Sequence, residues 1–136
     1  MSLAVITGNY GTPRATLDCI RALLPELASH AGRIIVVDND SGDGSDQVLT
    51  EAIRSNGWSS ANVEFVASPR NGGFGYGNNL GASRALNVDP SVEYLLFINP
   101  DATIGRGSVA AVVEAEQVVD NLKRRKTQAR ARQQPG

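Results

Sequence analysis

Short apolar runs alternate with longer amphipathic stretches along the chain. Residues 3–7 (LAVIT), 33–38 (RIIVVD), 62–67 (NVEFVA) and 93–99 (EYLLFIN) are short and rich in β-branched or large apolar side chains, and they read as strands. Between them the period lengthens. Leu17, Ile20, Leu23, Leu24 and Leu27 fall on one helical face, with Pro25 expected to bend or end that helix early. A second helix is expected to start from a cap at Asp43 or Ser45 and to run through Val48, Leu49, Ala52 and Ile53. A third, interrupted by glycine, covers FGYGNNLGASRALN. The last covers GSVAAVVEAEQVVDNLKRR, with Ser108 as its cap. The order β-α-β-α-β-α-β-α implies an α/β fold, a mostly parallel sheet with alternating helices on both faces. Strands that are apolar throughout fit such a sheet, whose two faces are both covered. The final stretch, KTQARARQQPG, has no apolar periodicity and is expected to be frayed.

Each expected strand runs into unusual polar chemistry. The first leads into GNYGTP, the second into DNDSGDGS, the third into SPRNGGFGYGNN and the fourth into NPDATI. In a parallel sheet all four clusters lie at one edge, beyond the carboxyl ends of the strands, where open α/β sheets bind ligands.

Taken singly, the clusters are ambiguous. DNDSGDGS is a poor calcium loop: with Gly44 at the turn position the ligand places fall on Asn39, Ser41 and Asp43, and the twelfth position is Thr50 rather than Glu. The same residues fit a polar turn leading into a helix. A turn leaves Asp38 unexplained, because a carboxylate ending an apolar strand is costly unless it has a partner. NGGFGYGNN has glycines that could let a backbone approach phosphate groups. Their spacing and their place after the third strand do not match the dinucleotide fingerprint, and no phosphate-loop lysine pattern is present. The alternative is a tightly packed helix start. NPD fits an Asn-Pro-Asp turn, and Asp101 could also serve as one of the few protein ligands of a hard cation. His30 is expected at the end of the first helix near free carbonyls, and Cys19 in the core. Trp58 lies in a loop.

Composition narrows the class. Apolar residues make up 41% of 136 residues, enough for one ordinary core, while aromatics are only 5% and glycines number 14. One cysteine excludes an internal disulfide and fits a reducing, cytoplasmic setting. No apolar stretch reaches the roughly 20 residues of a membrane span, and no signal peptide is expected. The net charge of −1 hides an asymmetry. Six of the 13 basic residues lie between Lys123 and Arg132 with no acid among them, so residues 1–122 carry 7 basic and 14 acidic side chains, a net −7. An acidic body argues against a nucleic-acid partner.

Together the four clusters resemble family 2 glycosyltransferases, with the closest similarity to the rhamnosyltransferase-like branch. NY after the first strand, VVDNDSGDGS after the second, NGGFGYGNNLG after the third and YLLFINPD at the fourth occur in the family's order, over roughly residues 3–115. The resemblance implies a truncated fold of the GT-A, nucleotide-diphospho-sugar transferase-like type, with a sugar-nucleotide-binding domain over 1–115 and a basic extension over 116–136. It implies inverting transfer of a sugar from a dTDP- or UDP-linked donor to an acceptor hydroxyl, as in cell-wall or polysaccharide synthesis. Asp38 matches the acid that holds the nucleotide base. Asn9 and Tyr10 match the segment lining base and ribose, and Asn39, Ser41 and Asp43 the rest of that turn. Asn71, Gly72, Gly73, Phe74, Asn78 and Asn79 match the segment near ribose and sugar. Asn99-Pro100-Asp101 occupies the place of the Asp-x-Asp motif, with Asp101 as the ligand of Mg²⁺ or Mn²⁺. Gly8 and Gly11 depart from the family pattern around NY. The chain ends about 35 residues after Asp101, whereas the family continues and supplies an acceptor site and a general base there. Glu114 and Glu116 match no such motif, so no catalytic base is assigned. The alternatives are a non-catalytic nucleotide-sugar-binding module and an inactive fragment. The basic tail is expected to be a solvated extension, or else to dock a partner subunit or an anionic membrane surface.

Overall fold

The computed structural model describes residues 2–28, 30–100 and 109, leaving aside the side chains of Ala31 and Phe74. The elements are β1 (Ser2–Asn9), α1 (Pro13–Leu27), β2 (Ala31–Asp38), α2 (Ser45–Ser55), a 3₁₀ turn (Trp58–Ala61), β3 (Val63–Ala67), α3 (Phe74–Val88) and β4 (Tyr94–Ile98). The four strands form one sheet in the order β3-β2-β1-β4, every pair parallel. The chain divides into two units, Met1–Gly105 and Arg106–Gly136. The elements above belong to the first. Of the second, Val109 is described, a buried helical residue. The expected last helix, apart from Val109, and the expected boundary at 115/116 lie outside the described residues.

Strand pleating sorts the core into two halves. Ala4, Ile6, Ile35 and Val37 cluster with Ala85 of α3, and Val66, Leu80, Val92 and Leu95 pack around them. The alternate positions Leu3, Val5, Ile34 and Val36 are equally buried and point the other way. There α1 touches β1 and β2, and α2 touches β3. Cys19, Ile20, Leu23 and Leu27 of α1, with Leu49 and Ile53 of α2, are the buried hydrophobic residues of those helices. Burial pushes the Cys19 thiol up from its ordinary pKa. Trp58, unassigned from sequence, is buried beside them, with the Arg21 guanidinium 5.7 Å from its ring centre.

Three local expectations change. Pro25 does not end α1 early, since the helix runs on to Leu27; the proline stands in the last turn, where one missing N–H costs little. The cap of α2 is Gly44 in the left-handed region (φ 85°) rather than Asp43 or Ser45. Asp43 acts from one place earlier, its Oδ1 accepting the Ser45 N–H at 3.0 Å and the Ser45 hydroxyl at 2.5 Å. The imidazole of His30 does not engage the carbonyls that end α1. Among the described residues its buried Nε2 has no partner, and its backbone N–H donates to Leu27 O at 3.0 Å.

Glycines set the depth of α3. A Cβ on Gly81 would come within 2.6 Å of Ile6 Cγ2 and 3.1 Å of Val37 Cγ2, and one on Gly77 would overlap Asn39 Oδ1. These two glycines, one helical turn apart, let α3 lie directly on β1 and β2. Glu64 on β3 then pairs with Arg33 on β2, at 3.7 Å, and with Arg84 on α3, joining three elements at the rim.

Candidate functional site

The strand order positions the site. From β1 to β2 to β3 the chain steps one way across the sheet, and from β3 to β4 it returns past β2 and β1 to the far side of β1. Right-handed crossovers then place the first two helices on one face and the third on the other. The direction of stepping reverses between β1 and β4, so a crevice opens above their carboxyl ends, the usual ligand position in open α/β sheets. A cleft of about 340 Å³ lies there, lined by Gly8, Tyr10, Thr12, Asn39, Asn71, Gly73, Asn99 and Pro100. All four polar clusters contribute to it.

Beneath the cleft, β1 and β2 end in a buried hydrogen-bonded network. Asn9 is fully buried and Asp38 is 5% exposed. Asn9 Nδ2 donates to Asp38 Oδ1 at 2.9 Å and to Ser41 Oγ at 3.3 Å, and the one proton of the Thr16 hydroxyl on α1 is shared between Asn9 Oδ1 at 2.9 Å and Thr12 O at 3.0 Å. Ser41 donates to Asp38 Oδ1 at 2.7 Å and accepts the Gly11 N–H at 2.9 Å. Backbone bonds carry the ladder past the strand ends: Asn39 N–H to Asn9 O at 2.8 Å, and Ser68 N–H to Asp38 O at 2.9 Å. The carboxylate that looked costly at the end of an apolar strand therefore has partners on two neighbouring segments. A buried carboxylate held this way is a preset hydrogen-bond acceptor.

The β3–α3 loop forms the opposite wall. Asn71 Oδ1 accepts the Gly73 N–H at 3.1 Å, which fixes the turn before α3. Gly73 has φ 87°, a conformation that favours glycine. Gly72 lies so close to the Tyr76 ring that a Cβ would come within 2.6 Å of it, and the Arg70 guanidinium covers that ring at 4.6 Å.

Of the residues expected at the site, Tyr10, Asn39, Asn71, Gly73 and Asn99 line the cleft. Asn9 lies below it with both ends of its amide engaged, and Ser41 braces Asp38. Asp43 organises the start of α2. Its carboxyl is held below the ordinary aspartate range, chiefly by the Ser45 hydroxyl and then by the Ser45 N–H. Gly72 packs on Tyr76. Asn78 and Asn79 sit on α3 and are not among the cleft-lining residues. Phe74 begins α3, and its side chain lies outside the described residues, as does Asp101. Sequence reading missed Gly8, Thr12 and Pro100 as cleft walls and Thr16 as the support of Asn9. Thr12 and Thr16 carried a signal, since both follow the NY cluster at the start of a helix that faces β1.

Among the described residues no group of three or more His, Cys, Asp or Glu could hold a metal ion, and no helix is long and apolar enough to cross a membrane. The described part of the NPD turn brings Asn99 to the cleft, with Pro100 beside it.

The model of the family described as Glycosyl transferase family 2 matches residues 2–121. No curated protein sequence matches the chain. Solved structures do. The chain is 22% identical to S. aureus TarS 1–349, with a TM-score of 0.65, over 84% of this chain and 32% of that one. The same fragment in complex with UDP-GlcNAc aligns at 20% identity, with a TM-score of 0.65, over 84% and 30%. The mannosyltransferase PcManGT of Pyrobaculum calidifontis, in complex with GDP-Man and Mn²⁺, aligns at 18% identity, with a TM-score of 0.67, over 82% and 31%. The fold is therefore of the GT-A glycosyltransferase type, and the chain spans about a third of the length of these structures.

Proposed function

Because the chain belongs to glycosyl transferase family 2, we propose that the cleft above β1 and β4 binds the nucleotide part of a nucleotide-diphospho-sugar and presents the sugar for transfer to an acceptor hydroxyl with inversion. The observation that carries this reading is the Asp38 carboxylate, fixed by Asn9 and Ser41 next to a cleft that all four strand ends line. Asp38 accepts a donor from the base. Tyr10, 56% exposed at the cleft, covers base or ribose. Asn39, Asn71 and the Gly72-Gly73 backbone face ribose and sugar. The UDP-GlcNAc and GDP-Man complexes of TarS and PcManGT support a donor of this class.

The donor expected from the motifs is a dTDP- or UDP-sugar, and the rhamnosyltransferase-like branch rests on motif similarity. Asp101, which follows Pro100 in the sequence, would supply a carboxylate to Mg²⁺ or Mn²⁺. That ion, when bound, neutralises charge on the leaving diphosphate. The Mn²⁺ beside GDP-Man in PcManGT supports a divalent cation.

The test is a titration of UDP, dTDP and GDP with Mn²⁺, followed by thermal stability, since a ligand of the folded state alone must raise it. The expected result is a concentration-dependent rise that Asp38→Ala abolishes, with a metal requirement that Asp101→Ala removes. No rise with any nucleotide would exclude the reading. Turnover assays with nucleotide-sugars then separate a transferase from a module that binds without transferring.

A further inference from the structure

The buried network below the cleft fixes how many donors Asp38 can still accept. The Ser41 hydroxyl accepts from Gly11 N–H at 2.9 Å and from Asn9 Nδ2 at 3.3 Å, which fills its acceptor positions. Its single proton is therefore directed at Asp38 Oδ1, 2.7 Å away. The Asn9 amide cannot be turned over without loss, because its oxygen would then face Asp38 Oδ1 across the 2.9 Å that Nδ2 now bridges; the Thr16 hydroxyl, 2.9 Å from the Asn9 oxygen, adds to that orientation. Oδ1 thus receives two donors and is saturated. No donor from the described residues reaches Oδ2. Asp38 precedes Asn39, which lines the cleft.

Nucleobases differ in the donors they offer a carboxylate. Uracil and thymine present one imide N–H between two carbonyls. Guanine presents an N–H and an adjacent amino group, a pair that matches both oxygens of a free carboxylate. Against an Asp38 with one oxygen closed, guanine leaves one donor without its partner, and a desolvated donor without a partner is costly.

We propose that Asn9 and Ser41 are positioning residues that close one oxygen of Asp38, so that the site accepts a single-donor pyrimidine imide and discriminates against guanine. This inference rests on the nucleotide-sugar reading above and adds to it the means of base selection.

The experiment measures dissociation constants of the full chain, with Mn²⁺, for UDP, dTDP, GDP and N3-methyl-UDP. The expected order has UDP and dTDP at least about tenfold tighter than GDP, the equivalent of one lost charge-assisted hydrogen bond. N3-methylation of UDP removes that advantage. Ser41→Ala frees a position on Oδ1 and narrows the UDP/GDP ratio, and Ser41→Thr, which keeps the hydroxyl, restores it. A purely structural role for Ser41 would weaken both nucleotides alike and leave the ratio unmoved, which overturns the proposal. Equal affinity for UDP and GDP, or for UDP and N3-methyl-UDP, overturns it in the unmodified protein even if Ser41→Ala fails to fold. These outcomes leave the nucleotide-sugar reading intact, whereas binding of no nucleotide removes both.

Discussion

Gly77 and Asn39 share one volume: a Cβ on Gly77 would overlap Asn39 Oδ1, a buried oxygen with no hydrogen-bond partner among the described residues. The contact joins the first turns of α3 to the end of β2 at a residue that lines the cleft. Gly77→Ala should displace the Asn39 side chain and cost about 1–3 kcal/mol, the usual range for overpacking. Gly75→Ala, where an added Cβ meets nothing within 4 Å, should be neutral or stabilising by up to about 1 kcal/mol. Urea unfolding of the two variants checks this contrast.

Gly81→Ala tests helix depth without touching the cleft. The new methyl would press on Ile6 and Val37, both fully buried, so α3 must rise from the sheet. A loss of about 1–3 kcal/mol in urea unfolding is expected. Gly81 is not among the cleft-lining residues, so nucleotide affinity should fall less than in Gly77→Ala.

Thr16→Val keeps the shape of the side chain and removes the donor to Asn9 Oδ1. The buried amide oxygen is then left unpaired, at a cost of about 1–3 kcal/mol. Thermal unfolding should show the loss. Nucleotide affinity should drop with it, because Asn9 is then held toward Asp38 only from its Nδ2 end.

The Asp43 carboxyl is held below the ordinary aspartate range by the Ser45 hydroxyl and N–H. A depressed carboxylate pKa contributes stability that is present above the unfolded value and is lost as pH falls through the folded value. The expected effect is a loss of stability below about pH 4, the ordinary aspartate range. Asp43→Asn should flatten that part of the stability–pH curve, measured by thermal unfolding between neutral and acidic pH.

Glu64 serves both Arg33 and Arg84 at the partly exposed rim. Glu64→Gln should cost about 0.5–1 kcal/mol at low salt. The difference from the unaltered protein should shrink as salt screens the pairs. Unfolding at low and high NaCl measures it.

The fold was largely legible because alternation of short apolar runs with amphipathic stretches has few packed solutions. The strand order was not legible, since periodicity says which residues are buried and not which strand lies beside which. Asp38 drew notice because an ionisable group ended an apolar strand. Asn9 and Tyr10 could not be told apart by type: pleating turns one into the protein and the other into the cleft. The glycines of α3 suggested an approach to phosphate, and Gly73 does line the cleft. Gly77 and Gly81 instead make room for Asn39, Ile6 and Val37. A sequence records that a Cβ is missing, but not which atom fills the space.

The return of the chain to the far side of β1 also makes one pairing more distant in sequence than the others. β1 pairs with β4 across a long chain separation, and the Ser2 N–H reaches the Glu93 carboxylate over 91 positions. Closing so long a loop has an entropic cost that nearer pairings avoid. A chain with only β1, β2 and β3 in place would already hold Asn9, Asp38 and Ser41 together, yet would lack the wall made by Asn99 and Pro100. By loop length alone, the acceptor network is expected from nearer contacts and the closed cleft from the most distant one. A nucleotide that needs both would therefore act as a clasp on the latest step of folding.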